Sequence, residues 1–428
     1  MKILLAATPL TGHINPLLAL ARLAAARGDE VVVTTSAAFA PRVAAAGFRC
    51  VAYADDSSAE YRETALPAGP ERARREFERR FIDPIPLQAA ALRDLVAHER
   101  PDLIVAGTMF LGILPLLLSE APRPPVVGYN VSFLFHDRPD GAPLGPGLPP
   151  ARDAAEQARH AAIGAAAAIA FTNPVRAYAD ATLARLGARP LPASLTQSIL
   201  ILPDALIQPT VREFEYDYGP LPERLRFVGA LPLPAAEVPL PDWWGELDGR
   251  RRVVLVTQGT LANADLGELI EPTLAALAHR DDLLVVATTG GRPVEALRGP
   301  LAPNARVSRF LPFDALMPKV DLFVTNGGYG SVTQALVAGV PMVSAGLTED
   351  KAEIGARIGW SGVGLNLAAN EPGERAIRAA AEEVLAEPRF AERAAALAAA
   401  FARHDTGREI LGILDAARAA APAHPHAA

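Results

Sequence analysis

Two stretches of this chain carry residue types suited to chemistry. In ATPLTGHINPLLAL, residues 6–19, the ionisable ring of His13 stands between Gly12 and an apolar helical pattern. A neutral imidazole can accept a proton near neutral pH, although a lone histidine is by default a surface residue or a satisfied core residue. In DLFVTNGGYGSVTQALVAGVPMV, residues 321–343, an apolar run ends at Thr325, glycines follow at 327, 328 and 330, and a helical pattern opens at Ser331. Glycines let the backbone approach a phosphate closely, while the free N–H groups and dipole at a helix start favour an anion. A diphosphate fits such a turn without a basic cluster; a strand-to-helix turn with no ligand is the plainer account of the same residues.

These residues need elements to hold them. Short β-branched apolar runs occur at 2–7, 30–35, 48–53, 102–107 and 125–130, mostly separated by helical patterns, and a second series runs through 252–259, 283–290, 305–311, 322–328 and 341–346. That alternation predicts an α/β chain of two doubly wound parallel-sheet domains in tandem. Asn15 and Pro16 suit an N-cap and first helical turn, which leaves His13 in the loop at the carboxyl end of the first strand, where open parallel sheets bind their ligands. Proline- and glycine-rich residues 219–249 read as the linker between a first domain, 1–218, and a second, 250–400. Residues 401–420 read as a C-terminal helix returning to the first domain, and 421–428 as a disordered tail whose His424 and His426 are inert. The mixed charges of ERARREFERR, 71–80, read as a solvated helix face with Phe77 and Phe81 together on the other side.

Composition bounds the rest. With 428 residues, 50% apolar, the chain can bury two cores, and no window is apolar and uncharged for the ~18 residues of a membrane span. MKILLAATPL breaks at Pro9 and reads as a buried strand rather than a leader peptide. A single cysteine, Cys50, leaves no intramolecular disulfide and no thiolate zinc site, which suits a soluble, cytoplasmic protein. A net charge of −7 argues against a surface that tracks nucleic-acid phosphates.

Taken with VTQGT at 256–260, RFLPF at 309–313, GVPMV at 339–343 and LTEDK at 347–351, the two stretches give the chain its resemblance to the family 1 glycosyltransferases of GT-B fold, nearest to bacterial macrolide-type and other natural-product enzymes. The motifs stand in the family's order and cover nearly the whole chain. The resemblance implies a UDP- or TDP-sugar donor held by the second domain, a hydrophobic small-molecule acceptor such as a polyketide, macrolide or phenol in the first, and transfer in the cleft between them. It implies His13 as general base, single-displacement inversion, and no metal or further cofactor. Phe310 would stack near the nucleotide base and the Leu311 backbone would bond its edge. Gln334 stands where many relatives bind ribose with a glutamate. Asn326, Gly327, Gly328, Gly330 and Ser331, with Gly259 and Thr260, would surround the diphosphate, and Gly12 would also bind the donor. Glu349, Asp350 and Lys351 occupy the place of an Asp-Gln pair that contacts the sugar, and capping of a helix near 351 is the plainer account of their charges. Met109, Phe110, Asn130 and Phe133, with Phe135, lie beyond strand ends on the acceptor side, where core packing explains most of them equally well. Monomer and homodimer both remain open.

One position departs from the family. The resemblance expects an aspartate at the end of the fourth strand to orient the histidine ring, and Gly107 stands there, with Asp102 at the strand's far end. Three accounts remain: a stand-in from Thr108 or NVSFLFHD, 130–137; an acceptor acidic enough to need less help; or an impaired variant that binds nucleotide sugar in an auxiliary role. A nucleotide-sugar epimerase on a related two-domain fold is disfavoured by the His13 loop, and a dehydrogenase by the missing dinucleotide fingerprint.

Overall fold

The computed structural model describes residues 1–54, 69–232, 238–260 and 263–420. Seven strands form the first sheet: β1 Lys2–Ala6, β2 Glu30–Ser36, β3 Arg49–Tyr53, β4 Leu103–Gly107, β5 Val126–Tyr129, β6 Ala205–Gln208 and β7 Leu225–Phe227, in the order β3-β2-β1-β4-β5-β6-β7. Each pairing is parallel. Alternate residues explain why the runs are continuously apolar. Ile3, Leu5, Val31, Val33, Leu103 and Val105 enter one core layer, and Leu4, Ala6, Val32, Ile104 and Ala106 enter another on the opposite face.

The second sheet contains β8 Arg252–Thr257, β9 Leu283–Thr288, β10 Ala305–Ser308, β11 Leu322–Thr325, β12 Met342–Ser344 and β13 Gly364–Asn366, in the order β10-β9-β8-β11-β12-β13, again all parallel. The architecture is two doubly wound α/β units, as the alternating pattern predicts. In each sheet the strand order reverses once, between β1 and β4 and between β8 and β11. Such a reversal opens a crevice at the carboxyl ends of the strands.

The carboxyl ends of the two sheets meet. Ser132, just past β5, donates to Asp350, past β12, at 2.5 Å, and Gln208, at the end of β6, donates to the Tyr329 hydroxyl, past β11, at 3.4 Å. The helix Thr406–Ala420 returns to the first sheet, where Ile410, Leu414 and Ala417 enter the layer that holds Ile3 and Leu5. Arg27 pairs with its Asp415 at 2.9 Å.

Three short strands escape the sequence pattern: β6, β7 and β13. β7 lies inside the segment read as linker, which also holds a 3-10 turn, Asp242–Glu246. Residues 233–237 of that segment, and the tail 421–428, lie outside the described residues. The charged run is helical over Pro70–Phe77 and continues into a π turn, Glu78–Ile82; it is not simply solvated, because Glu78 is buried and accepts from Arg74 and Arg75 at 2.9 and 3.1 Å. Among the described residues no helix is long and apolar enough to cross a membrane.

Candidate active site

His13 sits at the crevice of the first sheet, but in a helix rather than a loop. The helix Thr11–Ala26 begins four residues before Asn15, with Leu10 at its N-cap. Asn15 does not cap, because its side-chain oxygen accepts from Arg42 at 2.9 Å. Pro16 lies within the helix, where the missing N–H forgoes one bond in the second turn. His13 therefore occupies the first turn, held by its N–H to Leu10 O at 2.9 Å.

The ring is half-buried, yet Nδ1 is enclosed and has no hydrogen-bond partner among the described residues. Burial, helped by the positive charge of Arg80, lowers its pKa from 6.5 to about 4. Gly107 ends β4 beside this helix; a Cβ built there meets Leu17 Cδ1 at 3.3 Å, and Leu17 is one turn beyond His13 on the same stripe. The position thus faces the His13 side of the helix. Two of the expected stand-ins have other partners: Thr108 Oγ1 donates to Asn130 Oδ1 at 3.0 Å, and Ser132 donates to Asp350. Gly12 is exposed next to His13.

Across the cleft, the crevice of the second sheet holds the glycine turn. Asn326 follows β11, and its Nδ2 donates to Gln258 O at 2.5 Å, which ties this turn to the loop after β8. Gly327 adopts φ +91° and donates its N–H to Thr325 Oγ1 at 3.1 Å. Gly328 is the N-cap of the helix Tyr329–Ala338, and Ser331 Oγ donates back to Gly328 O at 2.9 Å. Gly330, Ser331 and Gln334 lie along the first turns of this helix, with Gln334 Nε2 donating to Gly330 O at 3.2 Å. Gly259, φ +70°, and exposed Thr260 face them from the loop after β8.

Phe310 is 50% exposed although aromatic, and its ring lies against Gly291, where a Cβ would sit 2.8 Å from Cζ. Leu311 beside it is buried. Sequence reading missed three residues that shape this wall. Gln258 caps the next helical segment by accepting from Leu269 and Ile270 N–H at 3.3 and 3.0 Å. Asn263 Nδ2 donates to Gly259 O and Thr289 O at 3.1 and 2.9 Å, and Gly290 permits that closeness, since a Cβ there would lie 1.9 Å from Gly259 O. Gln258 lies inside the VTQGT stretch without being singled out there, and no short motif marks Asn263 or Gly290; their signal is only placement past strands.

Glu349, Asp350 and Lys351 gather at the entrance to the helix Lys351–Ser361. Glu349 has φ +58°, uncommon for a side-chain-bearing residue. Lys351 is buried, and its ammonium donates to Glu349 and, at 3.2 Å, to Thr348 Oγ1. Asp350 stands at the N-cap without capping through its side chain. Burial pushes its carboxyl above the ordinary carboxylate range, against the Ser132 hydrogen bond.

On the acceptor side the expected wall is largely closed. Phe110 is fully buried and packs edge-on against Tyr53; the chain turns at Thr108–Phe110, so strand alternation no longer sets which side chain faces out. Asn130 is fully buried as a hub between Thr108, the Phe133 carbonyl and Gln208. Phe133 lies enclosed over the Arg357 guanidinium, 4.3 Å from its ring, with Phe135 edge-on at 6.1 Å. Met109 alone of the four expected residues is half-buried rather than buried. The ring beside His13 is another, Phe81, which in turn contacts Phe77, and Phe77 contacts Phe171.

Comparison with known proteins finds relatives along the whole chain. Residues 271–417 match the family described as Erythromycin biosynthesis protein CIII-like, C-terminal domain. The chain is 38% identical to 4'-demethylrebeccamycin synthase of Lentzea aerocolonigenes, over 97% of this chain and 99% of that one. It is 34% identical to UDP-glycosyltransferase 2 of Phaeomoniella chlamydospora, over 98% and 96%. The fold superimposes on the crystal structure of the kitacinnamycin glycotransferase with TM-score 0.74 at 21% identity, covering 97% of this chain and 98% of the other.

Proposed function

Because the chain belongs to the family 1 glycosyltransferases of GT-B fold, we propose that it moves a sugar from a UDP- or TDP-sugar to a hydroxyl of a hydrophobic small molecule, with inversion and without a metal. The observation that carries this reading is the juxtaposition of two crevices. His13 and Gly107 flank one, Gly259 and Asn326 flank the other, and Ser132–Asp350 joins the facing strand ends at 2.5 Å. Residues 250–400 hold the donor in this reading, and residues 1–218 the acceptor.

The chemistry follows from the residues. Burial keeps the His13 ring neutral at physiological pH, so it can accept the acceptor's proton as the oxygen attacks the anomeric carbon. The bond from that carbon to the diphosphate breaks as the new one forms, which inverts the centre. The departing negative charge develops at the N-terminus of the helix Tyr329–Ala338, where backbone N–H groups and the helix dipole stabilise it. Phe310 offers an exposed face for a base, Leu311 a backbone edge, and Gln334 an amide for ribose hydroxyls. Asp350 and the Lys351–Glu349 pair offer an acceptor and donors to the sugar.

A second reading keeps the fold without efficient transfer, as a nucleotide-sugar-binding or auxiliary protein. The Nδ1 of His13, without a partner among the described residues, favours it. Incubation with UDP- and TDP-sugars against a broad acceptor panel, read by mass spectrometry and by the anomeric NMR coupling, separates the two. The transferase reading expects an inverted glycoside and the same rate in EDTA. His13→Ala is expected to abolish transfer to alkyl alcohols while leaving nucleotide affinity within about threefold, since general bases contribute roughly 10²–10⁴ in rate. Unchanged turnover in that variant removes His13 as the base.

A further inference from the structure

Three half-buried aromatic rings make a chain of contacts that reaches His13 through Phe81. Its ring centroid lies 6.4 Å from Phe81, Phe81 lies 5.0 Å from Phe77, and Phe77 lies 5.7 Å from Phe171 in an edge-on contact. Phe81 belongs to the π turn Glu78–Ile82 and Phe171 to a second π turn, Ala168–Thr172. Wide turns of this kind are rare and concentrate at functional sites. The rings pack against one core that also carries Met109, just past Gly107, and none is wholly covered. An aromatic wall at this place offers edges and faces to a flat ring, which gains beyond simple apolar burial in offset or edge-on contact.

The base beside this wall is weak in a particular way. Nδ1 is the enclosed nitrogen, so Nε2 is the one left to accept a proton from a ligand. For Nε2 to accept, the resting ring must carry its own proton on Nδ1, where none of the described residues receives it. That tautomer, and the imidazolium formed from it, lack the usual stabilisation, in keeping with a ring pKa of about 4. Such a base moves an acidic proton far better than a reluctant one.

Resting on the transferase reading above, we propose that Phe77, Phe81 and Phe171 form the acceptor wall and that the enzyme selects a flat aromatic acceptor with an acidic phenolic hydroxyl over an aliphatic alcohol. In the step, the phenol proton passes to His13 Nε2, the aryl oxygen bonds to the anomeric carbon, and the diphosphate leaves with the electron pair of the broken bond.

The test uses the full chain, one fixed nucleotide-sugar donor, ring-substituted naphthols of graded acidity, and saturated bicyclic alcohols of the same size. The naphthols are expected to be glycosylated with kcat/KM rising with acidity, at least about a hundredfold above the saturated alcohols. Phe81→Leu and Phe171→Leu are expected to raise the naphthol KM about tenfold with the donor KM little changed. Gly107→Asp, which gives Nδ1–H an acceptor, is expected to raise transfer to the saturated alcohols and flatten the acidity dependence. Equal rates for saturated and aromatic acceptors in the wild-type enzyme, which needs no variant to fold, overturn the inference while leaving the transferase reading intact. Tight binding of UDP or TDP with no transfer to any acceptor overturns both.

Discussion

At the scale of single residues, the proposed mechanism turns on the proton of His13. An imidazole near 6.5 would begin to lose its base form in mildly acidic solution, whereas burial holds this one at about 4. Because the folded value lies below the ordinary one, the active neutral form persists as the pH falls through 6.5 and is lost only near 4. The kcat/KM of the free enzyme, plotted against pH, is therefore expected to stay flat from neutrality to about pH 5 and to bend near 4. An inflection near 6.5 would show that the ring is solvated in the working enzyme. Gly107→Asp moves the inflection the other way, since a carboxylate against Nδ1–H favours the imidazolium. Leu17 Cδ1, 3.3 Å from the added Cβ, must yield by a few tenths of an ångström, which the end of a flexible side chain can do.

At the scale of elements, what the sequence disclosed depended on whether a residue type had one physical use. Asn326 to Ser331 were legible because glycines between a β-branched run and a helical pattern serve a close turn and little else. The start of the first helix was not, because Asn15–Pro16 makes a sound N-cap on its own and only the folded chain brings Arg42 to occupy that side chain. The π turns were hidden too: Phe77 and Phe81 share a helical face in either geometry, so periodicity cannot reveal an inserted residue. Phe110 lies beyond the end of β4, where the sequence suggests a pocket, but the turn there buries it against Tyr53. The glycine turns also allow a sharp contrast. Gly290→Ala puts a methyl 1.9 Å from Gly259 O at φ +63°, and is expected to cost roughly 1–3 kcal/mol in thermal or urea unfolding. Its affinity for UDP or TDP by calorimetry should fall as well, since the same contact shapes the loop that holds Gly259. Gly330→Ala meets nothing within 4 Å and lies in a helix, so its unfolding is expected to match or exceed the wild type by up to about 1 kcal/mol. Equal losses in the two variants would mean that the loop pair is more pliant than its packing implies.

At the scale of the whole molecule, the cleft depends on how firmly the two sheets are held together, and one side chain dominates that contact. Arg357 is fully buried in the helix after Asp350, and it donates to Glu215 at 2.7 Å, Glu353 at 3.0 Å, the Tyr218 hydroxyl at 2.7 Å and Leu134 O at 3.3 Å. Its guanidinium also lies 4.3 Å from the rings of both Phe133 and Tyr216. Glu215 and Glu353 are themselves bound to backbone N–H groups of Leu134, Gly145 and Gly147, so the cation ties the loops after β5 to the helix that follows Asp350. Removing it strands two buried carboxylates. Arg357→Met is expected to cost about 3–5 kcal/mol in chemical unfolding. Arg357→Lys should recover little, because an ammonium cannot reproduce the planar fork that reaches four partners. The double variant Arg357→Met with Glu215→Gln should lose less than the sum of the singles, by roughly 0.5–3 kcal/mol, since the second change removes a charge the first left unpaired. In whichever of these variants still folds, donor and acceptor KM should rise together, because Asp350 and Ser132 are both positioned through this link. Strict additivity, with either KM moving alone, would mean that the two halves of the cleft are held by their other contacts and that Arg357 serves only its own helix.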